Sequence, residues 1–132
     1  MNNLISMLFS ANGRIRRTQF WLSRLGVSIA WLVSLLVAAI PSMFYRDPPV
    51  ALLTAMGAYM LLSFGVVIWI DINLLIKRWH DRDKSGVWCL LLFVPVIGWW
   101  WILIECGFLD GTQGPNTYGP SPKGLGAPQS VF

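Results

Sequence analysis

The residues best placed to do chemistry form the run Lys77-Arg78-Trp79-His80-Asp81-Arg82-Asp83-Lys84-Ser85-Gly86. Asp81-x-Asp83-x-Ser85-Gly86 sets oxygens at every second residue before a glycine, like the opening of a calcium loop, which must close on a bidentate acid at its twelfth position. That position is Leu92, and Arg82 and Lys84 repel a cation. His80 beside two carboxylates suggests a metal or proton site, yet a lone histidine at a helix end more often caps or packs. The run therefore reads as a structured turn holding no metal. Asp83 or Ser85 is expected to cap the following helix, while Asp81 binds nearby arginines.

A second polar group is Arg24, Asp71 and Asn73. Arg24 lies seven residues past Arg17 and Asp71 six before Lys77, about 9–10 Å inside their basic boundaries at helical rise. A charge at that depth in a membrane finds a partner or a water-filled cavity. An interhelical Arg24–Asp71 pair is the first expectation, and a polar path through Asp71, Asn73 and Arg24 the second. Glu105 is expected to pair with Arg46. No nucleophile arrangement or pair of catalytic carboxylates can be placed, and Gly111-Thr112-Gln113-Gly114 lacks the lysine of a phosphate loop. No catalytic residue and no cofactor are assigned.

These groups must be positioned by very apolar elements. Residues 25–45, 48–70 and 87–104 contain no charged residue, and about 20 apolar residues cross the hydrocarbon of a bilayer. The chain has 132 residues, 55% hydrophobic and 12% charged, against about 25% charged in soluble domains. A soluble fold this short could not hide so much apolar surface. The expected fold is an all-α membrane protein: a short amphipathic interfacial helix, then three transmembrane helices over about 18–40, 50–79 and 86–108. Residues 1–122 form one membrane domain, and 123–132 read as a disordered tail.

The net charge of +4 follows the apolar boundaries rather than forming a patch for nucleic acid, which is not an expected partner. Arg14, Arg16, Arg17 and Arg24 flank the first run; Lys77, Arg78, Arg82 and Lys84 flank the second. This asymmetry puts the N-terminus in the cytoplasm and, with three spans, the C-terminus outside. The rival is a hairpin folding at Pro95 to Gly98, supported by Trp99-Trp100-Trp101, since indoles favour interfaces. Membrane lipid is the expected environment. Cys89 and Cys106, about 25 Å apart on one helix, read as small apolar residues rather than a disulfide.

Gly26, Ala30, Ser34 and Ala38 recur every four residues, a register that lets helix backbones approach closely in lipid. This seam points to packing on the second helix or on another subunit, with Ala51, Ala55, Gly57 and Ala58 as a matching surface.

Four ordered motifs carry a family resemblance: Phe9-x-x-x-Gly13-Arg14-x-x-Arg17-x-x-Phe20-Trp21; Arg78-Trp79-His80-Asp81-x-x-x-Ser85-Gly86-x-Trp88; Pro95-x-x-Gly98; and Gly111-Thr112-x-Gly114-x-Asn116-x-Tyr118-Gly119-Pro120-x-Pro122. Together they resemble domain of unknown function 805, a family of small multi-pass bacterial inner-membrane proteins. Trp79 stands where that family usually has leucine, and Val87 where a tryptophan is usual. The resemblance implies an inner-membrane location and brings no reaction. Its polar signature falls on Arg14, Arg17, His80, Asp81, Ser85 and Asn116. We expect Arg14 and Arg17 to bond Asp81 and lock the N-terminal segment over the loop, with Asn116 joining them only if the third segment is a hairpin.

The leading functional expectation is a structural or interaction module that assembles with itself or joins a membrane complex. An oligomeric channel or transport component, using Asp71, Asn73 and Arg24, is the alternative. A lipid-headgroup enzyme using His80 and Asp81 comes third.

Overall fold

The computed structural model describes residues 4–124, in which the regular elements are all helical. Helix α1 spans Leu4–Phe9, α2 Arg17–Ala39 and α3 Val50–Asp81. A 3-10 turn, Ile40–Phe44, follows α2, with Pro41 in its first turn, where a missing N–H costs nothing. A second 3-10 helix, Gly86–Phe93, precedes α4, Ile97–Ile102, which widens into a π-helix over Leu103–Phe108.

The two long helices are apolar enough to cross a membrane, and their most apolar 18-residue windows are 0% buried within the fold. A soluble protein of this composition would bury such windows. The helices touch along one line: Trp31 Nε1 donates to Ser63 Oγ at 3.1 Å, and its ring packs on Phe64 at 5.6 Å between centroids. α3, about 48 Å long at helical rise, exceeds the hydrocarbon thickness. Its buried residues lie only in its last third, from Ile70 to Asp81. The core sits there, built from Ile15, Phe20, Ile70, Leu74, Leu75, Trp79, Ile102 and Cys106.

α3 ends in a left-handed turn. Asp83 takes φ 57°, so Asp83 N–H reaches His80 O at 3.0 Å and Lys84 N–H reaches Trp79 O at 2.9 Å. These bonds satisfy carbonyls that a helix end leaves open, in the pattern usually built on glycine.

The third segment differs from the expected single helix over 86–108. The 3-10 helix and α4 are separated by residues 94–96, and Val96 takes φ 62°. α4 packs back on the 3-10 helix so closely that a Cβ on Gly98 would stand 2.0 Å from Leu91 O. Trp99 Nε1 donates to Leu92 O at 3.0 Å across the bend. The consequence is a hairpin whose two ends meet: Lys84 Nζ lies 2.8 Å from Glu105 Oε1, where a straight helix would separate them by about 30 Å. Pro95, which supplies no N–H, and Gly98, which lets backbone meet backbone, are the local causes.

Of the expected tail, residues 125–132 lie outside the described residues. Lys123 bonds Asp110 at 3.3 Å.

Candidate functional site

The polar residues converge in a cap where α3 ends, the chain before α2 begins, and the segment after the π-helix returns. Asp81 is its centre. Arg14 donates from Nε to Asp81 Oδ1 at 3.1 Å, and Arg78 bonds the other carboxylate oxygen, Oδ2. Arg14 spends its remaining donors on carbonyls: Nη1 on Gly114 O at 2.9 Å and Gly119 O at 3.1 Å, Nη2 on Thr112 O at 2.9 Å. Only the planar fork of a guanidinium serves so many acceptors at once.

Arg78, fully buried, also donates Nε to Cys106 O at 2.7 Å and Nη2 to Leu109 O. Trp21 Nε1 takes Gly107 O at 3.0 Å, and Arg17 Nη1 takes Phe108 O at 2.9 Å. The π-helix thus ends with four successive carbonyls held by side chains of α2 and α3. A helix end leaves these acceptors open, and cationic or indole donors here close them.

The returning segment is fixed by Asp81 and His80 through their backbones. Thr112 N–H donates to Asp81 O at 2.8 Å, and Asn116 Nδ2 to His80 O at 2.8 Å. Asn116 and Gly119 exchange backbone bonds at 3.0 and 3.1 Å, which closes a turn that lays Tyr118 on His80. The two rings stack 3.9 Å apart, and His80 Nδ1 lies 3.3 Å from Gly13 O. Gly111 passes so near that a Cβ would stand 1.9 Å from Asp81 Oδ2.

Arg17 does not join Asp81 as expected. Beyond Phe108 O, its guanidinium reaches only Asp110, at 3.9 Å, because α2 begins at Arg17 and turns it away from Arg14. Asp110 is exposed; its bond from Lys123, with Arg17 nearby, holds the carboxyl below its ordinary value of 3.8. Glu105 pairs with Arg82 at 3.0 Å and Lys84 at 2.8 Å, not with Arg46. The hairpin returns Glu105 to the end of the fold opposite the α2–α3 connection that carries Arg46. Neither Asp83 nor Ser85 caps the next helix by its side chain: Asp83 Oδ1 accepts from Thr117 N–H at 3.1 Å, and Ser85 contributes backbone alone. Asp81, Asp83 and Ser85 therefore diverge. Among the described residues no group of His, Cys, Asp and Glu could hold a metal.

Arg24 and Asp71 meet at 3.1 Å, with side chains 41% and 34% exposed. They line an apolar recess with Ile68, Leu92 and Phe93. Asn73 stays apart from them, donating to Trp69 O of its own helix at 2.9 Å. Gly26 and Ala30 are exposed, while Ser34 and Ala38 are half-buried. Sequence reasoning missed Thr112, Gly114 and Gly119 as acceptors for Arg14, and Lys77. Lys77 Nζ bonds the Ser6 and Met7 carbonyls at 2.8 and 2.7 Å, which closes the end of α1. The signal for the tail was the Gly111–Gly119 motif itself, whose glycines and asparagine mark a turn rather than a linker.

Among the described residues, helices alone as regular elements, two bare apolar helices and an ionic cap fit an integral membrane protein. Over residues 8–120 it matches the model of the family described as protein of unknown function (DUF805), and it belongs to that family. It is 36% identical over 112 residues to the inner membrane protein YhaI of Escherichia coli strain K12, with 85% of each chain covered. It is 31% identical over 116 residues to the inner membrane protein YhaH of the same strain, covering 84% of this chain and 85% of the relative. A third relative there, the uncharacterized protein YiiR, is 29% identical over 136 residues, covering 85% of each. No solved structure matches the chain.

Proposed function

We propose that the protein is an inner-membrane structural module, with two spanning helices and a re-entrant hairpin clamped together by a cytoplasmic cap. The inner-membrane location is supported by the names of its relatives. In this arrangement α2 and α3 cross the bilayer, α1 lies at its inner face, and the hairpin enters and leaves from the cytoplasmic side. Both ends of the chain are then cytoplasmic, in keeping with the basic residues at that level. Irregular backbone inside a membrane needs protein around it; within one chain only Gly98 is covered, by the 3-10 helix, while residues 94–96 are exposed, so neighbouring copies would cover the bend.

The observation that carries this reading is how completely the polar signature is spent on architecture. Asp81 is held by two arginines, Arg14 by three carbonyls besides, and His80 by a stacked ring and a carbonyl. A catalytic or conducting group needs a free face toward substrate or water. Self-association follows from α3, where Ala51, Ala55 and Ala58 are exposed at i, i+4 and i+7 and let a second helix approach. The membrane complex is then built from copies of this chain, with lipid around them.

The Arg24–Asp71 pair favours a second reading, an oligomeric transport component, since both side chains stay partly exposed. Asn73 adds nothing to such a path. Ion flux in proteoliposomes, together with light scattering in mild detergent, decides between the two. The module predicts an oligomer without flux, and an association weakened by Ala55→Leu. Flux abolished by Asp71→Ala contradicts it.

A further inference from the structure

Among the described residues, Lys77 is a buried cation of the cap that no carboxylate balances. It is 4% exposed, on the same buried stretch of α3 as Arg78 and Asp81, yet among the described residues no carboxylate pairs with it. Its ammonium bonds the Ser6 and Met7 carbonyls. A buried charge without a counter-charge is costly, and natural sites supply one.

Lys77 also lines a polar cleft of about 480 Å³ behind α1, with Ser10, Asn12, Arg14 and Gln19 on its walls. Among the described residues, no acidic side chain lines that cleft. Met7 also borders an apolar groove of about 390 Å³ lined by Leu4 and Leu8 of α1 and by Leu22, Gly26 and Ala30 of α2. A Cβ on Gly26 would meet no atom within 4 Å, so the groove is open there. A cationic recess that shares Met7 with an apolar trough fits an anionic headgroup and an acyl chain on one molecule.

We propose that the cleft and the groove form one site for a single anionic phospholipid. Its phosphate sits by Lys77, which keeps a third N–H for it, and one acyl chain lies along Gly26 and Ala30. The site rests on α1 lying at the inner membrane face, as proposed above. Lipid drawn in there would hold α1 against α2 and supply the charge Lys77 lacks.

The test uses the full chain in mild detergent with fluorescent phosphatidylglycerol and, separately, neutral phosphatidylcholine, alongside thermal unfolding of each variant. We expect one phosphatidylglycerol per chain, bound about tenfold or more tighter than phosphatidylcholine, the scale of a charge-assisted hydrogen bond to phosphate. Lys77→Met should bring the two lipids level. The Cβ of Gly26→Phe meets no atom and its ring occupies the open groove, so it should abolish binding of both lipids without lowering the unfolding temperature of lipid-free protein. Should Lys77→Met fail to fold, the lipid preference of the wild type and Gly26→Phe still decide. Equal affinity for the two lipids, undiminished binding by Gly26→Phe, or competition by millimolar inorganic phosphate alone each overturns the proposal. None of these results depends on which side of the membrane the C-terminus occupies, so failure here is distinct from failure of the topology.

Discussion

Arg14 Nη2 sits 3.0 Å from Asp81 Oδ1 with side-chain exposures of 2% and 5%, across 67 residues of chain. The pair lies where three segments meet, and it is buried on the strength of further hydrogen bonds. A buried ion pair gains little against desolvation unless its remaining donors and acceptors are satisfied. Here they are met by Arg78, Thr112, Gly114 and Gly119.

Asp81→Asn keeps the shape of the side chain and leaves two buried guanidiniums facing a neutral amide. The expected loss is about 3–5 kcal/mol, read as unfolding in detergent by heat or denaturant. Arg14→Lys should cost a similar amount, because one ammonium cannot reach Asp81, Thr112, Gly114 and Gly119 together. Exchanging the two charges should not rescue stability, since an acid at position 14 would face carbonyls. Arg17→Ala, removing a half-exposed group, should cost far less.

Gly111→Ala tests the packing of the returning segment on Asp81. The added methyl would stand 1.9 Å from a carboxylate oxygen, so the segment must shift, at a cost of about 2–3 kcal/mol. Gly13→Ala is the control: its φ of 91° is strained for alanine, but its surroundings are open. A loss nearer 1 kcal/mol is expected there. Equal effects would argue against the close approach.

The hairpin yields two substitutions of opposite sign. Gly98→Ala drives a methyl against the Leu91 carbonyl and should destabilise by several kcal/mol. Val96→Gly relieves a β-branched residue at φ 62° and should stabilise by about 1 kcal/mol. Thermal unfolding in one detergent compares the two directly.

Acid should loosen the tail. Asp110 titrates below its ordinary value because Lys123 bonds it and Arg17 lies near. A carboxyl lowered by folding adds stability above its unfolded value, and that stability is lost as pH falls through the folded value. Limited proteolysis after residue 108 should therefore accelerate only below about pH 3.8. Because Asp110 is exposed, salt should weaken the effect.

Particular residues explain what could be read ahead of the fold. The two long helices were legible because uncharged runs of that length have few other uses, and the Arg14–Asp81 contact followed from matched motifs. Arg24 and Asp71 were legible from helical rise alone. The partners of Glu105, Arg17 and Asn116 were not, for one reason: all depend on where the third segment turns. Residues 87–104 are apolar throughout, so periodicity cannot distinguish a straight helix from two short pieces packed together. Pro95, Gly98 and the tryptophan run were the only local signs, and Val96 adopting a positive φ had none. Lys77 was read as a boundary charge because nothing in its neighbours foretells that α1 folds over it.

The fold-back of the third segment underlies the cap, the topology and the role of the tail alike. Single cysteines at Arg46 and Lys123, in a chain carrying Cys89→Ala and Cys106→Ala, can be probed in spheroplasts with a membrane-impermeant maleimide. Arg46→Cys should label from outside, and Lys123→Cys only after the membrane is opened. Labelling of Lys123→Cys in sealed spheroplasts would mean that the segment crosses the bilayer, and the clamped two-span arrangement would be wrong.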